Sequence, residues 1–259
     1  HPPRVAARAK APMEVQRFVC CFTTELLRFQ ADPEGWIKPG FIPLRRAGRA
    51  VYNLRGKDVG AVVAFDPKHP DSMDSLNSFG NFETIPPYEL DGKRWPFGRV
   101  LRGKTATFYP DPVFVELVES QRMQDPVYVD TSWLVVGHVD EFFSFIPAST
   151  PRGWALLVAD PRGAKTILDG LVTKGQGTSK VFSGKQVWGD RGEIPAETTV
   201  DGVLADAEIL STSQQAATKI DAALAVVKAA TGLTDDEIVR VPFLFETTYG
   251  RSVAYQPGL

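Results

Sequence analysis

Residues 108–120, FYPDPVFVELVES, and residues 157–171, LVADPRGAKTILDGL, share a pattern that decides the fold class. In each, an apolar strand-like run leads through Asp-Pro into a segment with the apolar spacing of an amphipathic helix. Aspartate caps a helix with its side chain, and proline fits the first helical position because its missing N–H would have no partner there. The pattern therefore predicts two helices, capped by Asp111 and Asp160, each directly after a strand.

A third helix is predicted further along the chain. It would begin near Ser211 or Ser213 and end at Gly232, a residue type that often terminates helices. The three helix starts are then about 50 residues apart, more than the roughly 30 residues of a minimal βαβ unit. The spacing indicates repeated modules of one helix and several strands. An ordinary doubly wound sheet is the alternative interpretation of the same α/β alternation.

The remaining segments are assigned by periodicity and turn residues. Thr234 and Glu237 have the spacing of a capping box. Residues 1–43 form a flank rich in Pro, Arg and Ala with one helix-like run, and residues 44–259 form the domain. Strands are predicted over residues 61–65, 133–136, 154–158 and 239–245, and the helix-like run of the flank covers residues 15–28.

Composition narrows the possible partners. The chain has 29 Lys and Arg against 31 Asp and Glu, so its net charge of -2 predicts neither a nucleic-acid partner nor a membrane partner. No stretch approaches the roughly 20 apolar residues of a membrane span, and no secretory signal is visible, which favours a cytoplasmic location. The cysteines, Cys20 and Cys21, exclude a disulfide framework. The oligomeric state is not predicted.

One short motif has the residue types of an acid–base pair. His138 and Asp140 follow the apolar run SWLVV and Gly137, and in extended geometry their side chains would project to the same side while Glu141 faced the other way. A histidine beside a carboxylate is a candidate general acid and base. The alternative is a capped strand end, in which His138 binds a backbone carbonyl and Asp140 caps a turn.

The sequence around this pair resembles the protein-arginine deiminase family. The similarity is strongest over residues 77–103, NSFGNFETIPPYELDGKRWPFGRVLRG, and residues 129–145, VDTSWLVVGHVDEFFSF. It extends more loosely through FYPDP, GWALLVADP and TGLTDDEIVRVPF, so that residues 44–259 are matched. The resemblance implies an α/β fold of the five-module αβ-propeller (pentein-like) type, of which this chain would supply roughly the middle three modules.

The resemblance also implies a reaction. In the family, a cysteine thiolate attacks the guanidinium carbon of a peptidyl arginine, ammonia leaves, and water releases citrulline. Asp140 matches a family carboxylate that binds the guanidinium group, a role suited to a planar group with paired N–H donors. His138 matches the histidine that protonates the leaving nitrogen and later accepts a proton from water. The implied partners are arginine-containing protein substrates.

A calcium site is the second implied feature. The block SFGNFE resembles a family loop in which the backbone carbonyls of Phe79 and Phe82 and the carboxylate of Glu83 bind Ca²⁺. Oxygen ligands suit this hard cation. Gly80 would allow the loop to turn its carbonyls inward. Since calcium usually takes six to eight oxygens, further ligands would be needed.

Two departures from the family pattern affect the expected function. Residues 14–36 show no counterpart of the block that supplies the second catalytic aspartate, and no cysteine follows Cys21. We therefore expect a family member truncated at both ends, with its nucleophile outside this chain. Two hypotheses result: calcium-dependent hydrolysis of peptidyl arginine to peptidyl citrulline, and arginine binding by a non-catalytic pseudoenzyme or fragment. Whether this chain is an enzyme stays open here, and enzymes acting on free arginine, agmatine or dimethylarginine resemble it less.

Overall fold

The computed structural model describes residues 17–20, 59–62, 79–106, 112–120, 122, 124–189, 192–247 and 255–257. The chain divides into two compact units, residues 1–73 and residues 74–259. In the first unit, β1 (Arg17–Cys20) pairs in parallel with β2 (Val59–Val62). The helix predicted over residues 15–28 is therefore wrong at residues 17–20, because pairing with a distant strand overrides a weak local helix preference. The strand predicted over residues 61–65 begins earlier, at Val59.

The second unit begins with a three-stranded sheet. It contains β3 (Glu83–Ile85), β6 (Arg99–Lys104) and β7 (Val127–Asp130) in the order β3–β6–β7. The first pair is antiparallel and the second is parallel. Between β3 and β6, a hairpin of β4 (Tyr88–Leu90) and β5 (Lys93–Trp95) turns at Asp91 and Gly92. Both turn residues have positive φ, 51° and 76°, as a tight Asp-Gly hairpin requires.

A second three-stranded sheet lies further along the same unit. β9 (Trp154–Asp160) is its central strand, antiparallel to β8 (Phe143–Pro147) and parallel to β14 (Ile238–Pro242). The prediction of a strand over residues 154–158 is confirmed, and the combination of parallel and antiparallel sheets with helices confirms a mixed α/β class. Three smaller antiparallel pairs complete the described strands: β10 (Lys180–Val181) with β13 (Thr198–Thr199), β11 (Gln186–Gly189) with β12 (Gly192–Pro195), and β15 (Phe245–Thr247) with β16 (Tyr255–Pro257).

The two Asp-Pro helices form where the sequence places them. α1 (Pro112–Ser120) begins at the predicted proline, although its proposed cap, Asp111, lies outside the described residues. α2 (Pro161–Thr173) follows β9 directly, and the Asp160 carboxylate accepts the backbone N–H of Gly163 at 3.0 Å. The prediction of a helix capped by Asp160 is thus confirmed.

The third helix ends as predicted but begins earlier than predicted. A short helix, α3 (Val200–Ala205), is followed by α4 (Ala207–Thr231), whose cap is Asp206. Its carboxylate accepts the N–H groups of Glu208 and Ile209, each at 3.0 Å. The predicted start near Ser211 or Ser213 is wrong because Ser213 is buried in the helix. Gly232 ends α4 with φ 68°, as predicted.

Two of the predicted strands differ from those of the structure. Residues 133–136 form a turn after β7, in which the N–H of Leu134 is donated to the carbonyl of Thr131 at 3.1 Å. The indole of Trp133 bonds the carbonyl of Asp130 at 3.0 Å, so this apolar run is buried as a turn. The strand predicted over residues 239–245 is divided into β14 and β15. The capping box of Thr234 and Glu237 is confirmed.

One face of α4 forms much of the core of the second unit. This helix contacts β4, β7, β9 and β15. Its buried side chains are small or aliphatic, so the helix can approach the strands closely. They are Ala216, Ala217, Ile220, Ala223, Leu224 and Val227. Within the described ranges, none of the helices has the length and apolar character needed to cross a membrane.

Candidate active site

His138 and Asp140 lie on one turn of 3-10 helix, Val139–Glu141, that leads into β8. His138 is extended, with φ −97° and ψ 146°, and Val139 is fully buried and anchors the turn in the core. The imidazole Nδ1 of His138 lies 3.8 Å from Oδ1 of Asp140. The two side chains therefore lie close together, as predicted. The sequence suggested an extended strand at this position, but a 3-10 turn brings them together.

The pair faces outward from this turn. The side chain of His138 is 15% exposed and that of Asp140 is 47% exposed. An exposed carboxylate beside a half-buried imidazole can receive a cationic group from solvent while the imidazole keeps a fixed orientation. Such an arrangement suits an acid–base group beside a bound cation.

Glu141 was expected to face away from the side chains of the pair, and its hydrogen bond is with the backbone of His138. Its side chain folds back, and Oε1 accepts the backbone N–H of His138 at 2.8 Å. The contact is half of a capping box around the turn. The three-residue spacing of His138 and Glu141 was the signal in the sequence that could have revealed it, although histidine is an uncommon cap.

The SFGNFE block approaches the pair from the other side. Its 3-10 turn, Phe79–Asn81, brings Gly80 so close that a Cβ atom there would lie 2.3 Å from Nδ1 of His138. The same atom would lie 2.8 Å from Oδ2 of Asp140. The predicted calcium loop and the predicted acid–base pair therefore form one site. Gly80 matters here for close approach, a role that the sequence reasoning did not assign to it.

Asn81 holds this loop in place. Its side chain is fully buried, and its amide donates to the carbonyl of Gly103 at 2.9 Å and accepts the N–H of Gly103 at 2.7 Å. The side chain thus replaces a strand partner near the end of β6. Sequence reasoning missed Asn81 because nothing local to the motif indicates which distant backbone its amide would reach.

Three carboxyl groups near the turn are all easier to protonate than usual. Burial raises the pKa of Glu83, and the charge of Asp140 raises it further against a backbone hydrogen bond from Thr84. Burial also raises the pKa of Asp140, while His138 lowers it. Burial raises the pKa of Glu141 to about 7, against the backbone N–H of His138. Negative charge is therefore unfavourable here unless a cation balances it.

The predicted calcium ligands have the right chemistry but do not make a complete site. Within the described segments, no group of three or more His, Cys, Asp or Glu side chains is placed to hold a metal ion. Glu83 offers one half-buried carboxylate, and Phe79 and Phe82 offer backbone carbonyls. Such oxygen donors fit Ca²⁺, and a cation would offset the free-energy cost of burying the negative charge of Glu83. The assignment of these three ligands stays a prediction.

Neither cysteine is assigned to this site. Cys20 lies in β1 of the first unit, and Cys21 lies outside the described residues. The chain contains no other cysteine. No nucleophile is thus assigned beside His138 and Asp140.

Comparison with known proteins identifies the family. The family model described as protein-arginine deiminase (PAD) matches residues 45–257. The chain is 34% identical over 214 residues to protein-arginine deiminase type-3 of Rattus norvegicus, which covers 80% of this chain and 31% of that protein. It is 31% identical over 191 residues to the type-1 protein of Mus musculus, covering 71% of this chain and 27% of that protein. The chain thus spans about a third of the length of these relatives, and it belongs to the protein-arginine deiminase family.

Proposed function

We propose that this chain carries the His138–Asp140 half of a protein-arginine deiminase active site, which converts peptidyl arginine and water into peptidyl citrulline and ammonia. The observation that supports it best is the convergence of the pair with Gly80. An imidazole and a carboxylate lie 3.8 Å apart, and a residue without a side chain stands against both. The substrates would be arginine-containing proteins, as the names of the relatives state for those proteins.

Each residue has a role that its position supports. Asp140 would accept two N–H groups of the guanidinium and hold its carbon in place, which its 47% exposure permits. His138 would donate a proton to the leaving nitrogen and then accept one from the hydrolytic water. The thiolate that attacks the carbon would come from a cysteine outside these 259 residues, because Cys20 and Cys21 have no assigned place at the site.

Calcium belongs to the same proposal. Glu83 and the backbone carbonyls of Phe79 and Phe82 would hold it. The support is the raised pKa of Glu83, since a carboxylate that burial and Asp140 both disfavour as an anion is stabilised by a cation. Bound Ca²⁺ would supply positive charge beside the loop that contacts His138 and Asp140.

The architecture and the location are part of the same proposal. We propose that residues 44–259 are part of a five-module αβ-propeller and supply roughly its middle three modules. The starts of α2 and α4, residues 161 and 207, support this because they are 46 residues apart, near the predicted period. A cytoplasmic location is supported by the cysteine content, which lacks a disulfide framework.

A second function is favoured by one observation, which is that the sequence holds no cysteine after Cys21. The chain would then bind arginine side chains without turnover. Both functions require Asp140 to bind the arginine side chain, so a binding measurement tests both. Citrulline formation distinguishes the enzyme from the non-catalytic binding protein.

The experiment uses the 259-residue chain with benzoyl-L-arginine amide, with calcium and with a chelator. We expect calorimetric binding that Asp140→Asn reduces about tenfold or more, since it removes the charge that pairs with the guanidinium. Asp125→Asn, at an exposed carboxylate that pairs with Lys93, is the matched control and should leave binding unchanged. Citrulline detected by a colour assay favours the enzyme, and binding without citrulline favours the second function. Absence of binding by the unmodified chain would contradict both.

A further inference from the structure

We propose that Glu141 is a positioning residue, whose carboxylate fixes the backbone of His138 and thereby the direction of the imidazole beside Asp140. The inference rests on the proposed function of the pair and goes one step beyond it. It assigns to Glu141 a role in orienting the acid–base group and no contact with the substrate.

The first argument is geometric. Oε1 of Glu141 accepts the N–H of His138 at 2.8 Å, so it holds the residue that enters the 3-10 turn. The other side of His138 is limited by the backbone of Gly80, which stands within van der Waals distance of the ring nitrogen. His138 is thus held between two elements, and releasing the hydrogen bond would free its φ and ψ angles. A shift of about 1 Å in a catalytic group can lower activity on the order of 100-fold.

The second argument comes from the environment of the carboxylate. Oε2 of Glu141 is buried and has no hydrogen-bond partner within the described part of the chain. The negative charge of Asp140 acts on this carboxylate and, with burial, raises its pKa. A buried carboxylate in such a place is costly. The hydrogen bond from the N–H of His138 offsets part of that cost.

A second capping box in the same molecule provides a comparison. Glu237 also accepts a backbone N–H, that of Thr234, at 3.0 Å. There the other carboxylate oxygen is paired with Arg152 at 2.8 Å, so the group is fully satisfied. The box at Glu141 lacks such a partner and lies directly behind the proposed acid–base pair. The hydrogen bond to His138 is therefore the contact through which Glu141 acts on the pair.

The test uses the full 259-residue chain labelled with ¹³C and ¹⁵N at histidine, followed by NMR. The three histidines are assigned by substitution, and the ring and amide signals of His138 report its orientation. Glu141→Gln keeps an acceptor for the His138 N–H, whereas Glu141→Ala removes it. Glu141→Asp keeps the charge but is one methylene too short to reach. Asp206→Ala, which removes the cap of α4, is the control for a general loss of stability.

We expect the signals of His138 to stay in place in Glu141→Gln and to move in Glu141→Ala and Glu141→Asp. Binding of benzoyl-L-arginine amide should follow, nearly unchanged for Gln and about tenfold weaker for Ala and Asp. If Glu141→Ala does not fold, the Gln and Asp variants decide. Unchanged His138 signals in the Asp and Ala variants would overturn the proposal, as would equal shifts in the Asp206→Ala control. If the unmodified chain does not bind the probe, the proposed function fails, but the His138 signals still test the role of Glu141.

Discussion

The positions of His138 and Asp140 depend on the absence of a side chain at Gly80. A Cβ atom at this position would overlap Nδ1 of His138 at 2.3 Å and approach Oδ2 of Asp140 at 2.8 Å. Real Cβ atoms are not found at such distances from other side chains, so either the loop or the pair must move. The site can therefore keep its geometry only with glycine at this position.

We expect Gly80→Ala to weaken binding of benzoyl-L-arginine amide about tenfold or more, because His138 and Asp140 would be displaced from their present positions. The measurement is calorimetric titration of the 259-residue chain. Gly170→Ala is the matched control, since a Cβ there meets no atom within 4 Å. It should leave binding unchanged and raise the free energy of unfolding by about 0.5–1 kcal/mol, because Gly170 lies inside α2. Equal binding by both variants would contradict the steric role of Gly80.

Glu141 predicts a dependence of stability on pH. Burial raises its pKa in the folded state to about 7, above the ordinary value of 4.5. The folded state then holds a proton that the unfolded state releases, so the free energy of unfolding should fall as pH rises from about 4.5 to 7 and stay level above that. The fall is at most about 3 kcal/mol. Raised pKa values of Asp140 and Glu83 act in the same direction.

Glu141→Gln isolates this contribution, since glutamine cannot release a proton. We expect the difference in the free energy of unfolding between the variant and the unmodified chain to grow in favour of the variant as the pH rises. From pH 4.5 to pH 8 this difference should increase by about 1–3 kcal/mol. Urea unfolding in chelator-containing buffer at several pH values measures the difference. A constant difference across this range would show that Glu141 has an ordinary pKa in the folded chain.

The part of the site that lies within recognisable sequence motifs was predictable. His138, Asp140 and the SFGNFE loop were all found from the sequence, because residues close in the chain and a long resemblance indicate them. Asn81 and Glu141 were not found. Their roles depend on backbone groups that the fold brings near them, Gly103 for Asn81 and the N–H of His138 for Glu141. A single sequence does not specify the first pairing, and for the second it offers only the three-residue spacing to histidine, an uncommon cap.

At the level of elements, the end of α4 was predicted better than its start. Gly232 ends α4 with positive φ, a position that few other residues adopt, so its signal is specific. Starts are less specific, since Ser, Thr, Asp and Asn all cap helices. The sequence prediction named Ser211 and Ser213, although Asp206 belongs to the same class of capping residues. Burial decides between them, because Ser213 lies inside the helix and bonds the backbone of Phe245.

This correction gives a direct prediction for α4. Asp206→Ala should lower the free energy of unfolding by about 1 kcal/mol, because it removes the acceptor for two N–H groups. Ser211→Ala should change it by less than about 0.5 kcal/mol, since Ser211 is an exposed residue inside the helix and alanine favours helices. Urea unfolding monitored by circular dichroism measures both. A larger loss for Ser211→Ala would restore the start predicted from the sequence.

At the level of the whole molecule, contacts between distant segments decide the second unit. The strand assigned to residues 133–136 formed a turn because Trp133 and Leu134 are both buried, which an alternating strand exposed on one face would not allow. Arg152, in the turn between β8 and β9, makes polar contacts with residues about 80 positions further along the chain. It pairs with Glu237 at 2.8 Å and donates to the carbonyls of Thr231 and Gly232, each at 3.1 Å.

Arg152 should therefore contribute far more to stability than an exposed ion pair does. The side chains of Arg152 and Glu237 are only 18% and 7% exposed, whereas those of Lys93 and Asp125 are 60% and 71% exposed. Arg152→Ala would leave the Glu237 carboxylate and the end of α4 unpaired, so we expect a loss of about 3–5 kcal/mol in the free energy of unfolding. Lys93→Ala, the control, should cost less than about 1 kcal/mol. Urea unfolding monitored by tryptophan fluorescence measures both, and equal losses would show that the link at Arg152 does not join these segments in solution.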